Sequence, residues 1–113
     1  MTRAIELRSG VLSLDGDPLP TRFPVREAAW AGGHLVVIYD PAANPRSWGT
    51  FLNLAGLDEN GREVWVADTA QTASGDCYTH LHSVDPLRAN AWSGYLCTID
   101  PATGTVTERV FTK

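Results

Sequence analysis

The chain has 113 residues, 43% hydrophobic and 19% charged, with a net charge of −4. A domain of that length can remove roughly two-thirds of its unfolded surface from water, and this composition excludes a disordered chain. The acidic balance, with no run of Lys or Arg, excludes a surface built to neutralise a line of phosphates, so nucleic acid is not an expected partner.

The first residues, Met1-Thr2-Arg3-Ala4-Ile5-Glu6-Leu7-Arg8, alternate charge with apolar side chains and lack a signal-peptide core, so the expected location is cytoplasmic. Ala4–Arg8 and Val11–Leu14 read as an N-terminal hairpin, after which Pro18, Pro20 and Pro24 should keep the trailing segment out of the ladder. Strands follow at Val25–Trp30, His34–Asp40, Phe51–Leu57, Arg62–Ala67, Tyr78–Val84, Leu87–Trp92, Gly94–Ile99 and Thr105–Thr112. They are short, β-branched or aromatic, and bounded by Gly, Pro, Asn and Asp, with no helical periodicity. Leu35-Val36-Val37-Ile38 is the longest aliphatic run, the length of a buried strand and far short of a membrane span. Val64 and Val66 alternate with Glu63, Trp65 and Ala67, which predicts a strand covered on both faces. The only cysteines, Cys77 and Cys97, read as buried thiols in a reducing compartment, with a bridge left open for an exported chain.

One turn occurs twice. Leu57-Asp58-Glu59-Asn60-Gly61 leads into Val64-Trp65-Val66, and Ile99-Asp100-Pro101-Ala102-Thr103-Gly104 leads into Val106. Asn60-Gly61 tolerates positive φ at both positions, which predicts a two-residue type I′ hairpin. In the second copy Pro101 presets φ, Asp100 accepts backbone N–H groups of its own turn, and Gly104 takes the left-handed position of a bulged loop. Asp58 and Asp100 are therefore expected to be turn caps, since neither segment has the alternating oxygen ligands of a calcium loop.

Aligning the copies makes each half a four-stranded antiparallel meander, residues 25–68 and 78–112, preceded by the hairpin and Pro-rich segment 1–24. The expected fold is a single all-β domain, residues 1–113, with the meanders forming a sandwich or partly open barrel; a free edge could also pair with a second copy of the chain. Gly94-Tyr95-Leu96-Cys97-Thr98-Ile99-Asp100-Pro101-Ala102-Thr103-Gly104 resembles the strand and Asp-x-x-Thr-Gly turn of quinoprotein-type propeller repeats. Leu57–Trp65 is similar, including the Trp that ends such repeats. Ala89-Asn90-Ala91-Trp92-Ser93-Gly94 and Phe111-Thr112-Lys113 also resemble a group of small uncharacterised bacterial proteins. The resemblance covers roughly the last ninety residues and implies blade-like repeats, not an activity. Two blades cannot close a propeller, and the second copy has Glu108 or Arg109 where the repeat Trp is expected. No cofactor follows from the turns.

In such a meander alternate connections share an end, so Ala31–Gly33, Asp58–Gly61, Asp85-Pro86 and Asp100–Gly104 make a tight end. The opposite end receives Pro41–Thr50, Asp68–Cys77 and Ser93, and is the better place for a site. It should gather Asp40, Arg46, Trp48, Asp68, Asp76, Tyr78 and Trp92, a mixture suited to protein recognition. The plainer reading of Trp65 and Trp92 is core packing, and of Trp48 a loop aromatic folded over a sheet edge.

His80 and His82 are two residues apart on one strand and should share a face, a spacing that permits metal binding if His34, Asp76 or Cys97 supplies a third ligand. Half-buried, hydrogen-bonded histidines are the ordinary alternative. No nucleophile elbow, phosphate loop or His-Glu-x-x-His segment occurs. The expected function is a non-enzymatic protein-interaction module, of the sort that masks a partner such as a toxin. A small-ligand barrel and a His-dependent metal hydrolase are the alternatives.

Overall fold

The computed structural model describes residues 3–45, 49–70 and 75–112. Three antiparallel sheets stack in layers and do not close into a barrel. The N-terminal sheet is β1 (Ile5–Arg8), β2 (Val11–Leu14) and β3 (Asp17–Pro18). The middle sheet is the meander β4 (Val25–Ala31), β5 (His34–Tyr39), β6 (Leu54–Leu57) and β7 (Glu63–Val66). The outer sheet is the meander β8 (Tyr78–Val84), β9 (Leu87–Ala91), β10 (Tyr95–Ile99) and β11 (Val106–Phe111). A 3-10 turn, Pro41–Ala43, follows β5.

Period-2 alternation explains why the middle sheet can lie between two others. On β5, Val36 and Ile38 face the outer sheet and pack with Leu54, Leu87, Ala89, Cys97 and Ile99. Leu35, Val37 and Tyr39 face the other way and pack with Leu12, Leu14, Val25 and Phe51. The aliphatic run is thus buried on both faces, each large side chain contributing roughly 1.5–3 kcal/mol. The two cysteines are free, and they belong to different layers: Cys97 lies in the core against the outer sheet, Cys77 against the other.

Sheet ends differ from the sequence expectation in three places, each for a local reason. Pro18 joins the ladder opposite Ser13, on an edge strand whose outer side needs no donor. Predicted strand Phe51–Leu57 shortens to Leu54–Leu57 because Phe51 turns its N–H across to Asp76 O, in the segment that leads into β8 (2.9 Å). The two-sided cover expected for Arg62–Ala67 fails: Val64 and Val66 are exposed, because β7 is an edge strand and the N-terminal sheet packs over β4.

The first repeated turn is a correction. It is not type I′: Gly61 N–H reaches Asp58 O (3.1 Å), Asp58 N–H reaches Arg62 O (2.9 Å), and Gly61 alone takes positive φ (84°). This is a type I turn with a glycine bulge, selected because Asp58 Oδ1 captures the N–H groups of both Asn60 and Arg62. The bond from Arg62 N–H is the main reason the Asp58 carboxyl sits below the usual carboxylate range. A depressed folded pKa stabilises the protein above the unfolded-chain value and loses that contribution as pH falls through the folded value. Asp58→Asn keeps the acceptor and removes the titration. The difference in urea midpoint between wild type and Asp58→Asn should therefore be constant at neutral pH and shrink below about pH 4.

The second turn forms as expected, with Asp100 O accepting from Gly104 N–H (2.7 Å), Asp100 Oδ1 accepting from Ala102 N–H (2.9 Å), and Gly104 at φ 77°. It also locks the two meanders. Pro101 O accepts from Trp65 Nε1 (2.9 Å) and from His34 Nδ1 (2.8 Å), so His34 carries its proton on Nδ1. Pro101 sits directly against Gly32 of the β4–β5 turn.

Candidate functional site

The loop-rich end is organised by two buried polar side chains. Asn53, fully buried, donates from Nδ2 to Tyr39 O (2.9 Å) and Tyr78 O (2.8 Å), and accepts from Tyr78 N–H at Oδ1 (2.8 Å). It ties β5 to β8 across the layers. Asp76, also buried, accepts from Cys77 N–H and Ser93 N–H at Oδ1 (2.9 and 3.1 Å) and from Ser93 Oγ at Oδ2 (2.9 Å). It ties the start of β8 to the β9–β10 turn.

These contacts place the predicted site residues. Tyr78 is buried, and its hydroxyl donates to Asp68 O (2.7 Å). Burial is the main cause holding that hydroxyl far above the ordinary tyrosine range. Asp68, Asp76, Tyr78 and Trp92 are joined at one corner, where Trp92 N–H donates to Cys77 O (2.9 Å). Asp40 stands apart at the start of its loop, where its carboxylate caps Ala42 N–H (2.9 Å). Arg46 and Trp48 lie outside the described residues. Of the two tryptophans read as core, Trp65 is buried and Trp92 is 69% exposed. Trp92 sits in the turn that follows β9, beyond the reach of the inter-sheet core.

His80 and His82 are both exposed on β8, where burial alternates along the strand as the spacing predicts. Register shifts flank the pair His80–Leu81, so His80 opposes Asn90 while His82 opposes no residue of β9. His80 Nδ1 lies 2.7 Å from Glu27 Oε2, and Glu27 Oε1 accepts from Leu81 N–H (2.9 Å). Of the expected third ligands, His34 is engaged with Pro101 and Asp76 with Ser93, and Cys97 is buried in the core between the middle and outer sheets. Among the described residues no three His, Cys, Asp or Glu side chains converge as metal ligands. Burial raises the pKa of both thiols, with Asp76 adding to the effect at Cys77, which disfavours the nucleophilic thiolate.

A feature that residue-type reasoning missed lies beside the Pro41–Thr50 loop. An open cleft of about 510 Å³ is lined by Phe23, Pro45, Phe51, Leu52 and Val66, with Arg22, Asn44 and Thr50 also on its wall. Phe23 meets Phe51 edge-to-face with ring centroids 5.1 Å apart. Leu52 and Val66 are 45% and 37% exposed. The Arg22 guanidinium stands 5.1 Å from the centre of the Phe23 ring and 3.6 Å from Glu63 Oε1, while Glu63 Oε2 accepts from Tyr39 OH (2.6 Å). The cleft exists because the cover over the middle sheet stops short of β7. Its sequence signal is Val66, which with Val64 makes an apolar face on β7 that the fold leaves exposed.

No curated protein and no solved structure matches the chain. The family described as a domain of unknown function, DUF7957, matches residues 2–111, and the chain belongs to that family.

Proposed function

We propose that this domain is a non-enzymatic protein-interaction module that takes an apolar side chain of a protein partner into the cleft beside β7. The observation that carries the reading is the exposed apolar wall, Leu52 and Val66 over the Phe23–Phe51 pair, with the Arg22 guanidinium at its rim. An aromatic floor with a neighbouring arginine is the composition of binding hot spots. A net charge of −4 adds a field that speeds association with a basic partner. The stacked, unclosed sheets favour this reading over a small-ligand barrel, which needs an enclosed interior.

The two consecutive four-stranded meanders, each closed by an Asp-to-Gly turn, support reading them as a duplicated blade-type unit. The outward face of the outer sheet mixes Arg88, Asn90, Thr98 and Glu108 with Leu96 and Val110.

Leu52→Asp alters an exposed side chain and should leave the denaturation midpoint within about 0.5 kcal/mol of wild type. Immobilised wild type and Leu52→Asp would be offered the same lysate, and the captured protein titrated against both. A loss of roughly tenfold or more in affinity, equivalent to 1.4 kcal/mol, supports the cleft. Equal affinity, or no protein captured by either, overturns it.

A further inference from the structure

We infer that β11 is a self-association edge, through which two copies pair antiparallel about Val110 and continue the outer sheet across a two-fold axis. This surface is separate from the cleft. β11 is the terminal strand of its sheet, paired with β10, and each of its residues beyond Val106 is exposed, Val110 at 46% and Phe111 at 56%.

Backbone direction narrows the pairing. Thr112 N–H donates to Gly94 O (2.9 Å), toward β10, and Phe111, Val110 and Arg109 stand opposite Tyr95, Leu96 and Cys97. By alternation the amides of Val110 and Glu108 also turn toward β10, and those of Arg109 and Phe111 turn to the free side. Those free groups are available to a second strand.

Side-chain charge then selects the register. A two-fold axis perpendicular to the sheet must pass a residue that faces its own copy. Centred on Glu108 or on Arg109, the pairing sets like charges directly opposite each other, which is destabilising. Centred on Thr107, it passes through the residue skipped by the register shift opposite Thr98 and Ile99, and leaves Val110 and Phe111 bare. Centred on Val110, it sets valine against valine, Arg109 against the second copy's Phe111, and Glu108 against the second copy's Thr112. The outward amides of Arg109 and Phe111 then form hydrogen-bonded pairs, while the Arg109 guanidinium keeps its bond to Thr69 O (3.4 Å) and the Phe111 ring its packing on Tyr95 (5.3 Å between centroids). The pairing covers the two exposed apolar residues of the strand.

The test uses the full chain in a Cys77→Ser background, since Cys97 is buried. Sedimentation velocity should show a concentration-dependent doubling of mass. Val110→Lys should stay monomeric at concentrations where the parent dimerises, with an unchanged denaturation midpoint. Under mild oxidation Val110→Cys should give a covalent dimer and Thr107→Cys should not. A parent that remains monomeric throughout overturns the proposal, and so does equal cross-linking of Thr107→Cys. Leu52→Asp should dimerise like the parent, which separates this outcome from failure of the cleft.

Discussion

Replacing Asn53 with leucine should lower stability by about 3–6 kcal/mol, because three buried backbone groups lose their partners together. Tyr39 O, Tyr78 O and Tyr78 N–H all depend on this one side chain, and Asn53 itself is fully buried. A buried polar group left unpaired costs about 1–3 kcal/mol, and a domain of this kind has only about 5–15 kcal/mol in total. Urea denaturation followed by tryptophan fluorescence measures the loss. Asn53→Asp supplies the sign control. A carboxylate there faces two carbonyl oxygens without a donor, so burial and those oxygens raise its folded pKa above the unfolded value. A raised pKa means that the variant is least destabilised below about pH 4, where the protonated acid donates to one carbonyl, and worsens as pH rises through the folded value. That trend opposes the acid sensitivity expected at Asp58. A leucine variant within about 1 kcal/mol of wild type would show that the bridge between the sheets lies elsewhere.

The strand pattern was legible because it is written in local chemistry. Tyr78–Val84 and Val11–Leu14 match their predicted bounds, and most other strands differ by a residue at an end, where fraying and neighbouring turns compete. What was not legible came from contacts between distant segments. The type I′ expectation at Asn60-Gly61 failed because the Asp58 carboxylate, two positions earlier, offers its turn better hydrogen bonds than the mirror-image geometry does. The bulges of β8 have no marker in Thr79 or His82, so the loss of a β9 partner opposite His82 could not be read from spacing alone.

The candidate site was legible only as an end of the molecule. Asp76 and Tyr78 are at that end but are consumed by the scaffold, and a sequence does not distinguish a carboxylate that recognises from one that accepts two backbone N–H groups. Phe23, far upstream of Phe51, was invisible as a partner because their meeting depends on the Pro-rich segment crossing the middle sheet. Val64 and Val66 carried the information. Their lack of a polar alternation predicts cover on both faces, and the physical alternative, an apolar surface left open, is what the layers produce.

Gly56→Ala should destabilise by about 1–3 kcal/mol or more in the wild type and by much less once Trp65 is made smaller. Gly56 lies opposite Trp65 in the β6–β7 ladder, and a Cβ there would run into indole Cε2 and Nε1. On its other side the indole lies against Gly104, where a Cβ would meet Cε3 at 2.5 Å. The ring is therefore held in a slot between one glycine of its own sheet and one from the turn of the other, with Nε1 bonded to Pro101 O. The two glycines differ in a useful way. Gly104 has φ 77°, so alanine there adds the cost of a left-handed backbone, about 1–2 kcal/mol, to the steric one. Gly56 has no such φ, and its effect is steric alone. Trp65→Leu should itself cost several kcal/mol, as large-to-small core changes do, about 3–5 kcal/mol for loss of a tryptophan to alanine. In that background the slot is partly empty, and alanine at Gly56 loses its clash while gaining the lower chain entropy of a non-glycine residue. The double-mutant cycle, read from urea midpoints at constant m-value, should thus be strongly non-additive. Additive losses would mean that the ring is not clamped by Gly56.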